Sequence, residues 1–322
     1  MPRILLTTTS FQDTPGPHHE VLQAPGFTTV KARGPLTEAQ LLEWHARQGP
    51  FDGLLNGDDQ ITARVIDAYR PQLKVIAKYG IGLDSIDVNH ATACRIPVLF
   101  TPGVNETTVA EHTFGLMVAV AKHFWSHLSA VKAGRWQRQT GCELRGKTLG
   151  VVGMGRIGKE VLQRGIAFGM KPIALSAHFD TAFAARYQVR RMAALEELLP
   201  VADVVSLHTN LSDTTRHMIN QRTLAWMKKG AILINTARGA LVVEEDVAAA
   251  CRSGQLYGYG TDVLEQEPIR PDHPFTGIDN IVVTPHIGSR TLESVQRQGL
   301  RAARNLVNFL SGQTDYIQAN KF

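Results

Sequence analysis

The sequence has little cysteine, few aromatics and no long apolar run, and each shortage excludes something. Its best apolar stretch, Phe114 to Ala121, stops at Lys122, well short of the roughly 20 residues of a membrane span. At the amino terminus, Met1-Pro2-Arg3-Ile4-Leu5-Leu6 gives way to threonines. The longer apolar segment of a secretion signal is missing, and a cytoplasmic protein is expected. Cys94, Cys142 and Cys251 stand far apart with no C-x-x-C pair, so neither a disulfide framework nor a zinc site is suggested and no metal is expected. The formal charge of +5 is carried by dispersed lysines and arginines. With aromatics at 7% and no basic run, the expected partners are anionic small molecules, not nucleic acid or membrane. No fixed-period repeat or low-complexity segment is present.

What is present is a long alternation of apolar strands and helical patterns, the mark of α/β architecture with largely parallel sheets. At 322 residues and 43% hydrophobic content the chain can bury a sizeable core and divide in two. Strands are predicted at 4–8, 53–55, 73–77 and 97–100, with helices at 38–47 and 62–69 between them. One long helical pattern covers 105–132. Further strands at 149–152, 173–175, 204–207, 231–234, 258–262 and 281–283 make a six-stranded sheet, and 292–310 is an amphipathic helix that could return to the first domain.

The most informative run is GKTLGVVGMGRIG, ending at Gly158, in which an apolar strand leads into G-x-G-x-x-G. Gly153 permits the tight turn, Gly155 lets backbone approach a pyrophosphate, and Gly158 lets helix pack close to strand. The N–H groups of the following helix would face the phosphates.

Further runs follow in order: INTARG at 234–239, DVLEQEP at 262–268 and PHIG at 285–288, with KYGIGLDSIDV at 78–88 and NETTVAEHTFGLM at 105–117 upstream. Together they cover nearly the whole chain, which resembles the D-isomer-specific 2-hydroxyacid dehydrogenases, a group that includes glyoxylate, hydroxypyruvate and phosphoglycerate enzymes. The resemblance implies two Rossmann-like domains. Residues 1–102 and 290–322 would form a discontinuous flavodoxin-like substrate domain, and 103–289 a doubly wound, parallel-sheet dinucleotide-binding domain. It implies hydride transfer between NAD(P)H and a 2-keto or 2-hydroxy acid. His286 would be the proton donor in reduction and the base in oxidation. Glu267 would hold its ring, since a neighbouring carboxylate favours the protonated imidazole that reduction consumes. Arg238 would grip carboxylate and keto oxygen through its planar fork. Cofactor contacts are expected from Gly153, Gly155, Arg156, Ile157, Gly158, Ser176, His178, Thr209, Thr236, Ala237, Asp262 and Gly288. Substrate contacts are expected from Lys78, Tyr79, Gly80, Ile81 and Gly82, the backbone N–H groups around Ile81 and Gly82 holding the carboxylate. The other histidines, such as His18, His19 and His273, are expected to solvate loops.

Two departures matter. The acid expected about twenty residues after the glycine motif, where it binds ribose, is replaced by Ser176, with His178 nearby and Asp180 a turn later. That removes the main barrier to a 2′-phosphate and tilts the expectation slightly from NAD to NADP. Where phosphoglycerate enzymes offer an arginine, this chain reads Asn56-Gly57-Asp58-Asp59, and two acids would repel a phosphate. An unphosphorylated acid of glyoxylate or hydroxypyruvate type is expected. Alternatives are a phosphite-type dehydrogenase, which shares the three catalytic residue types, or a non-catalytic NAD(H)-sensing module resembling corepressors. Formate dehydrogenases pair the histidine with glutamine, unlike Glu267. A homodimer is expected through 105–132 and the stretch from Trp125 to Trp136, which carry more apolar surface than a crossover needs.

Overall fold

The computed structural model describes every residue except Pro25. The chain forms two compact units, Met1–Asn105 with Arg290–Phe322, and Glu106–Ser289.

In the first unit, β1 (Arg3–Leu6), β2 (Thr28–Lys31), β3 (Gly53–Asn56), β4 (Val75–Lys78) and β5 (Val98–Leu99) form a parallel sheet in the order β2-β1-β3-β4-β5. Its inner strands are continuous apolar runs because both faces are covered. On one face Val65, Ile66, Tyr69 and Ala91 of the helices Ala63–Tyr69 and Val88–Ala93 pack on Leu5, Leu54 and Ile76. On the other, Ala302, Ala303 and Leu306 of the helix Leu292–Leu310 cover Ile4, Leu6, Leu55 and Val75. The helix starts where the Thr291 hydroxyl accepts from Ser294 N–H at 3.3 Å. The tail then closes the sheet edge. Ala319 N–H donates to Val98 O, and the Asn320 side chain accepts from Val98 N–H at 2.8 Å and donates to Ile96 O at 2.9 Å.

The second unit holds β6 (Thr148–Val152), β7 (Lys171–Leu175), β8 (Arg190–Arg191), β9 (Val204–Leu207), β10 (Ala231–Asn235), β11 (Leu256–Thr261) and β12 (Ile281–Val283), all parallel, in the order β12-β11-β10-β9-β6-β7-β8. The order reverses between β6 and β9, the switch point where open α/β sheets take ligands. The sheet has seven strands, not the expected six, because the exposed pair Arg190–Arg191 adds an edge. The expected single helix over 105–132 is two, Glu106–Ala121 and Phe124–Lys132. Cys142 N–H takes the Ala121 carbonyl, which a continuous helix would need, and His123 turns left-handed at φ +51° while its ring meets the Tyr257 hydroxyl. The second helix leaves Phe124, Trp125, Leu128 and Val131 exposed, and Trp136 beyond it is 78% exposed. Among the described residues no helix is long and apolar enough to cross a membrane.

Two histidines expected to solvate loops are buried instead. His18 sits with Nε2 3.0 Å from Phe11 O, and His273 with Nε2 3.0 Å from Glu244 Oε2. Each ring finds a specific partner inside, which offsets its loss of water. His19, partly buried, places Nε2 3.0 Å from Thr14 O.

Candidate active site

Every candidate group of the second unit lies just past the carboxyl end of a parallel strand. After β6, Gly153 adopts φ +99°, and a Cβ there would strike the backbone of His208 and Thr209 at 2.5 to 2.7 Å. A Cβ on Gly158 would collide with the Gly153 carbonyl oxygen, so helix and turn touch as the motif requires. At Gly155 a Cβ would meet nothing within 4 Å. The helix Arg156–Ala167 that begins there has no side-chain cap and no acid in its first turn. A bare, positive helix end beside an open glycine fits the pyrophosphate of a dinucleotide. Across the switch point, His208 donates its backbone N–H to Val152 O and places Nε2 2.7 Å from Ser206 Oγ; burial pushes its imidazole down to about 3.

After β7, the Ser176 hydroxyl donates to His178 O at 3.2 Å, and His178 is exposed. Asp180, the acid one turn beyond, is engaged by its own helix and by a lysine. It caps the helix Thr181–Tyr187 by accepting from Phe183 N–H at 2.9 Å, and it pairs with Lys159, whose ammonium holds its carboxyl below the ordinary range. Arg191 on β8 stacks its guanidinium over Phe179, 5.2 Å from the ring centre, which places a cation beside this loop.

After β10, the buried Asn235 side chain folds the next turn, accepting from Ala237 N–H at 3.0 Å and donating to Arg238 O at 2.8 Å. Thr236 in this turn places Oγ1 2.9 Å from that of Thr113. Arg238 Nη1 donates to Ala237 O at 2.6 Å. The next residue must be glycine: a Cβ on Gly239 would overlap the Leu264–Glu265 peptide. That close approach brings the Arg238 turn against the segment carrying Glu267.

Glu267 faces two ways. Oε1 accepts from Leu264 N–H at 3.0 Å, which fixes the carboxylate, and Oε2 lies 2.8 Å from His286 Nδ1. With Nδ1 turned to the carboxylate, Nε2 is on the far side of the ring. Both side chains are about two-fifths exposed, at 41% for His286 and 38% for Glu267, so the pair is open to solvent on one side. His286 itself is left-handed at φ +52°, a conformation that costs a non-glycine residue on the order of 1–3 kcal/mol unless its surroundings enforce it.

Asp262 does the enforcing. Its buried carboxylate accepts from Thr284 Oγ1 at 2.6 Å, Ile287 N–H at 2.9 Å and Gly288 N–H at 2.6 Å, bracketing His286 on both sides. His112 Nε2 stands 3.3 Å from the same carboxylate and 2.9 Å from Thr284 Oγ1. Burial alone would raise the Asp262 carboxyl, but the bonds from His112, Thr284 and Ile287 outweigh it and hold it below the usual carboxylate range. Asp262 and Gly288, expected as cofactor contacts, are therefore also each other's partners. A Cβ on Gly288 would sit 2.8 Å from Asp262 Oδ2.

In the first unit, Gly80 at φ +134° is pinned by Thr101, which accepts from its N–H and donates to its carbonyl. The N–H groups of Ile81 and Gly82 bond to none of the described residues, so two donors remain for an anion. The side chains of Lys78 and Tyr79, expected to reach a substrate tail, turn inward. Lys78 is 3% exposed, donating to Gly57 O and Asp58 Oδ1 at 2.6 Å each, and Tyr79 packs beneath the helix Leu292–Leu310. The two acids expected to repel a phosphate are likewise engaged. Asp59 is buried and accepts from Thr7 Oγ1, Leu36 N–H and Gly57 N–H, and Asp58 is paired with Lys78. The loop thus sets one lysine against two carboxylates, and the Asp58 side chain remains 67% exposed.

His112, Thr284 and Arg191 escaped the sequence reading. His112 and Thr284 act through partners more than a hundred residues apart or on a neighbouring strand, and no spacing rule connects them.

The family model for the D-isomer specific 2-hydroxyacid dehydrogenase, NAD binding domain, matches residues 114–288. A glyoxylate reductase of Thermofilum pendens is 41% identical over 275 residues, 82% of this chain and 79% of that protein. A hydroxypyruvate reductase of Thermotoga maritima is 42% identical over 252 residues, 77% of this chain and 80% of that protein. A crystal structure of a Thermus thermophilus protein superposes with a TM-score of 0.89 at 38% identity, covering 99% of this chain and all of that one.

Proposed function

The chain belongs to the D-isomer specific 2-hydroxyacid dehydrogenase family, and on that premise we propose that it reduces a small unphosphorylated 2-keto acid, of glyoxylate or hydroxypyruvate type, and oxidises the corresponding D-2-hydroxy acid. The observation that carries this reading is the His286–Glu267 pair at 2.8 Å, set on a loop that Asp262 braces on both sides. His286 Nε2 gives a proton to the keto oxygen in reduction and takes it back in oxidation. Glu267 fixes Nδ1 and favours the charged ring. Arg238 supplies a bidentate fork for the carboxylate and keto oxygen. Ile81 and Gly82 offer N–H donors suited to a carboxylate. A bound dinucleotide would supply the hydride, and the N–H groups of Arg156, Ile157 and Gly158 would hold its pyrophosphate. Thr209, Thr236 and Ala237 border that site.

NADP is slightly favoured over NAD. Ser176 brings no charge against a 2′-phosphate, His178 is exposed beside it, and Arg191 brings a cation to the same loop. A phosphite-type activity rests on the same three side chains, and a non-catalytic NAD(H)-sensing role on the glycine motif alone. One experiment separates them: initial rates for a panel of 2-keto acids, and for phosphite, with NADH, NADPH and their oxidised forms. Turnover of glyoxylate or hydroxypyruvate is expected. Binding of dinucleotide with no turnover of any acid would leave the sensing reading instead.

The exposed Phe124, Trp125, Leu128, Val131 and Trp136 support a homodimer, whose mass by light scattering should be about twice the 35.3 kDa of one chain. Scarce cysteine suits a reducing cytoplasm.

A further inference from the structure

Away from the candidate active site, the first unit brings together three side chains of metal-binding type. His90 and Cys94 lie four residues apart, in and just after the helix Val88–Ala93, so they share a face. Asp67 reaches them from the helix Ala63–Tyr69. His90 Nε2 is 2.8 Å from Asp67 Oδ1 and 3.6 Å from Cys94 Sγ, and all three ligand atoms lie within 4.8 Å of one another. An ion bound at 2.0–2.3 Å to nitrogen, oxygen and sulfur in a tetrahedron sets its ligands about 3.3–3.8 Å apart. The trio needs only small rotations of partly exposed side chains to meet that spacing.

We propose that Asp67, His90 and Cys94 form a peripheral site for a borderline-soft divalent cation of the zinc class, with water completing the coordination. The donor set selects the ion. A thiolate and an imidazole suit Zn²⁺ and reject Mg²⁺ and Ca²⁺, which want oxygen ligands. On binding, the Cys94 thiol loses its proton to the solvent, His90 binds through neutral Nε2 and Asp67 through its carboxylate, so one proton is released per ion from a neutral-His, thiol state. Arg70 is the competitor: its Nη1 donates to Cys94 Sγ at 3.3 Å and stands 3.7 Å from Asp67 Oδ1. It is half exposed, at 49%, and can swing aside, but it lowers the affinity. Spacing rules see no such site, because its third ligand comes from another helix.

The test uses the full-length, tag-free, reduced chain. Calorimetric titration with Zn²⁺ is expected to give one ion per chain, unaffected by millimolar Mg²⁺. Cys94→Ser and His90→Gln should each weaken binding at least tenfold, and Arg70→Gln should tighten it several-fold. Co²⁺ should raise a thiolate charge-transfer band that Cys94→Ser abolishes and Cys142→Ser leaves intact. The thermal transition should rise with Zn²⁺ in the parent and not in Cys94→Ser, while keto-acid turnover without Zn²⁺ matches in both. Absence of binding, equal affinity in Cys94→Ser, or a band that follows Cys142 would each overturn the site.

Discussion

At His286 a left-handed backbone, a carboxylate partner and an exposed ring edge coincide, and each has a measurable consequence. Replacing His286 by alanine removes the proton donor without touching the glycine turn. Turnover should then fall by about 10² to 10⁴ while dinucleotide affinity, read by fluorescence titration, stays put. Undiminished reduction would take His286 out of the chemistry. The cofactor preference rests on Ser176. Ser176→Asp should restore ribose hydrogen bonds for NAD and set a charge against a 2′-phosphate, moving the ratio of kcat/KM for NADH over NADPH by about tenfold or more. A parent that already favours NADH strongly, with a ratio the substitution leaves alone, would mean that Ser176 does not face the ribose.

The loops after the strands are where elements become a site, and the Asp262 bracket is the clearest case. Asp262→Asn keeps the shape but presents an NH₂ group to a loop N–H, losing one bond and opposing two donors, a cost of about 1–3 kcal/mol. The His286 loop should loosen, with kcat falling by about five- to a hundredfold if that cost falls on the transition state, while far-UV circular dichroism is retained. Kinetics equal to the parent's would show that the loop holds without it. The strand ends carrying the site loops were legible because β6, β9 and β10 are short, mainly apolar and almost wholly buried runs. The helix Leu292–Leu310 was legible because its apolar stripe is regular and begins at a capping residue, Thr291. By contrast β2 (Thr28–Lys31) and β8 (Arg190–Arg191) are short edges without a buried period, β2 marked only by its β-branched Thr28, Thr29 and Val30 and β8 by nothing in composition. The break at His123 has no glycine or proline to announce it, being imposed by Cys142 and Tyr257 from afar. For the same reason the motifs exposed Arg238, Glu267 and His286 as candidates, but not the His112–Asp262–Thr284 scaffold under them.

Across the whole molecule, acid should act through the half-buried His208. The His208 imidazole is held down to about 3 in the folded chain, below its ordinary 6.5, so the unfolded chain binds the proton first. The stability it allows is complete above pH 6.5 and drains as pH falls towards 3, at no more than about 1.4 kcal/mol per pH unit, and at less because the residue is only half-buried. Urea melts of the parent and of His208→Asn between pH 7 and pH 4 should diverge, with the variant losing less; parallel curves would refute it. A different consequence follows from the chain's return to its starting point. The sheet of the first unit is completed by the helix Leu292–Leu310 and edged by Asn320, so much of the cover of one face leaves the ribosome only after the whole of Glu106–Ser289. The contiguous unit Glu106–Ser289 can fold as it emerges, whereas the amino-terminal strands must wait with Ile4, Leu6 and Leu55 only partly covered, by Phe11 and Leu22. Vectorial synthesis therefore completes the discontinuous unit only after the contiguous one that interrupts it has been made.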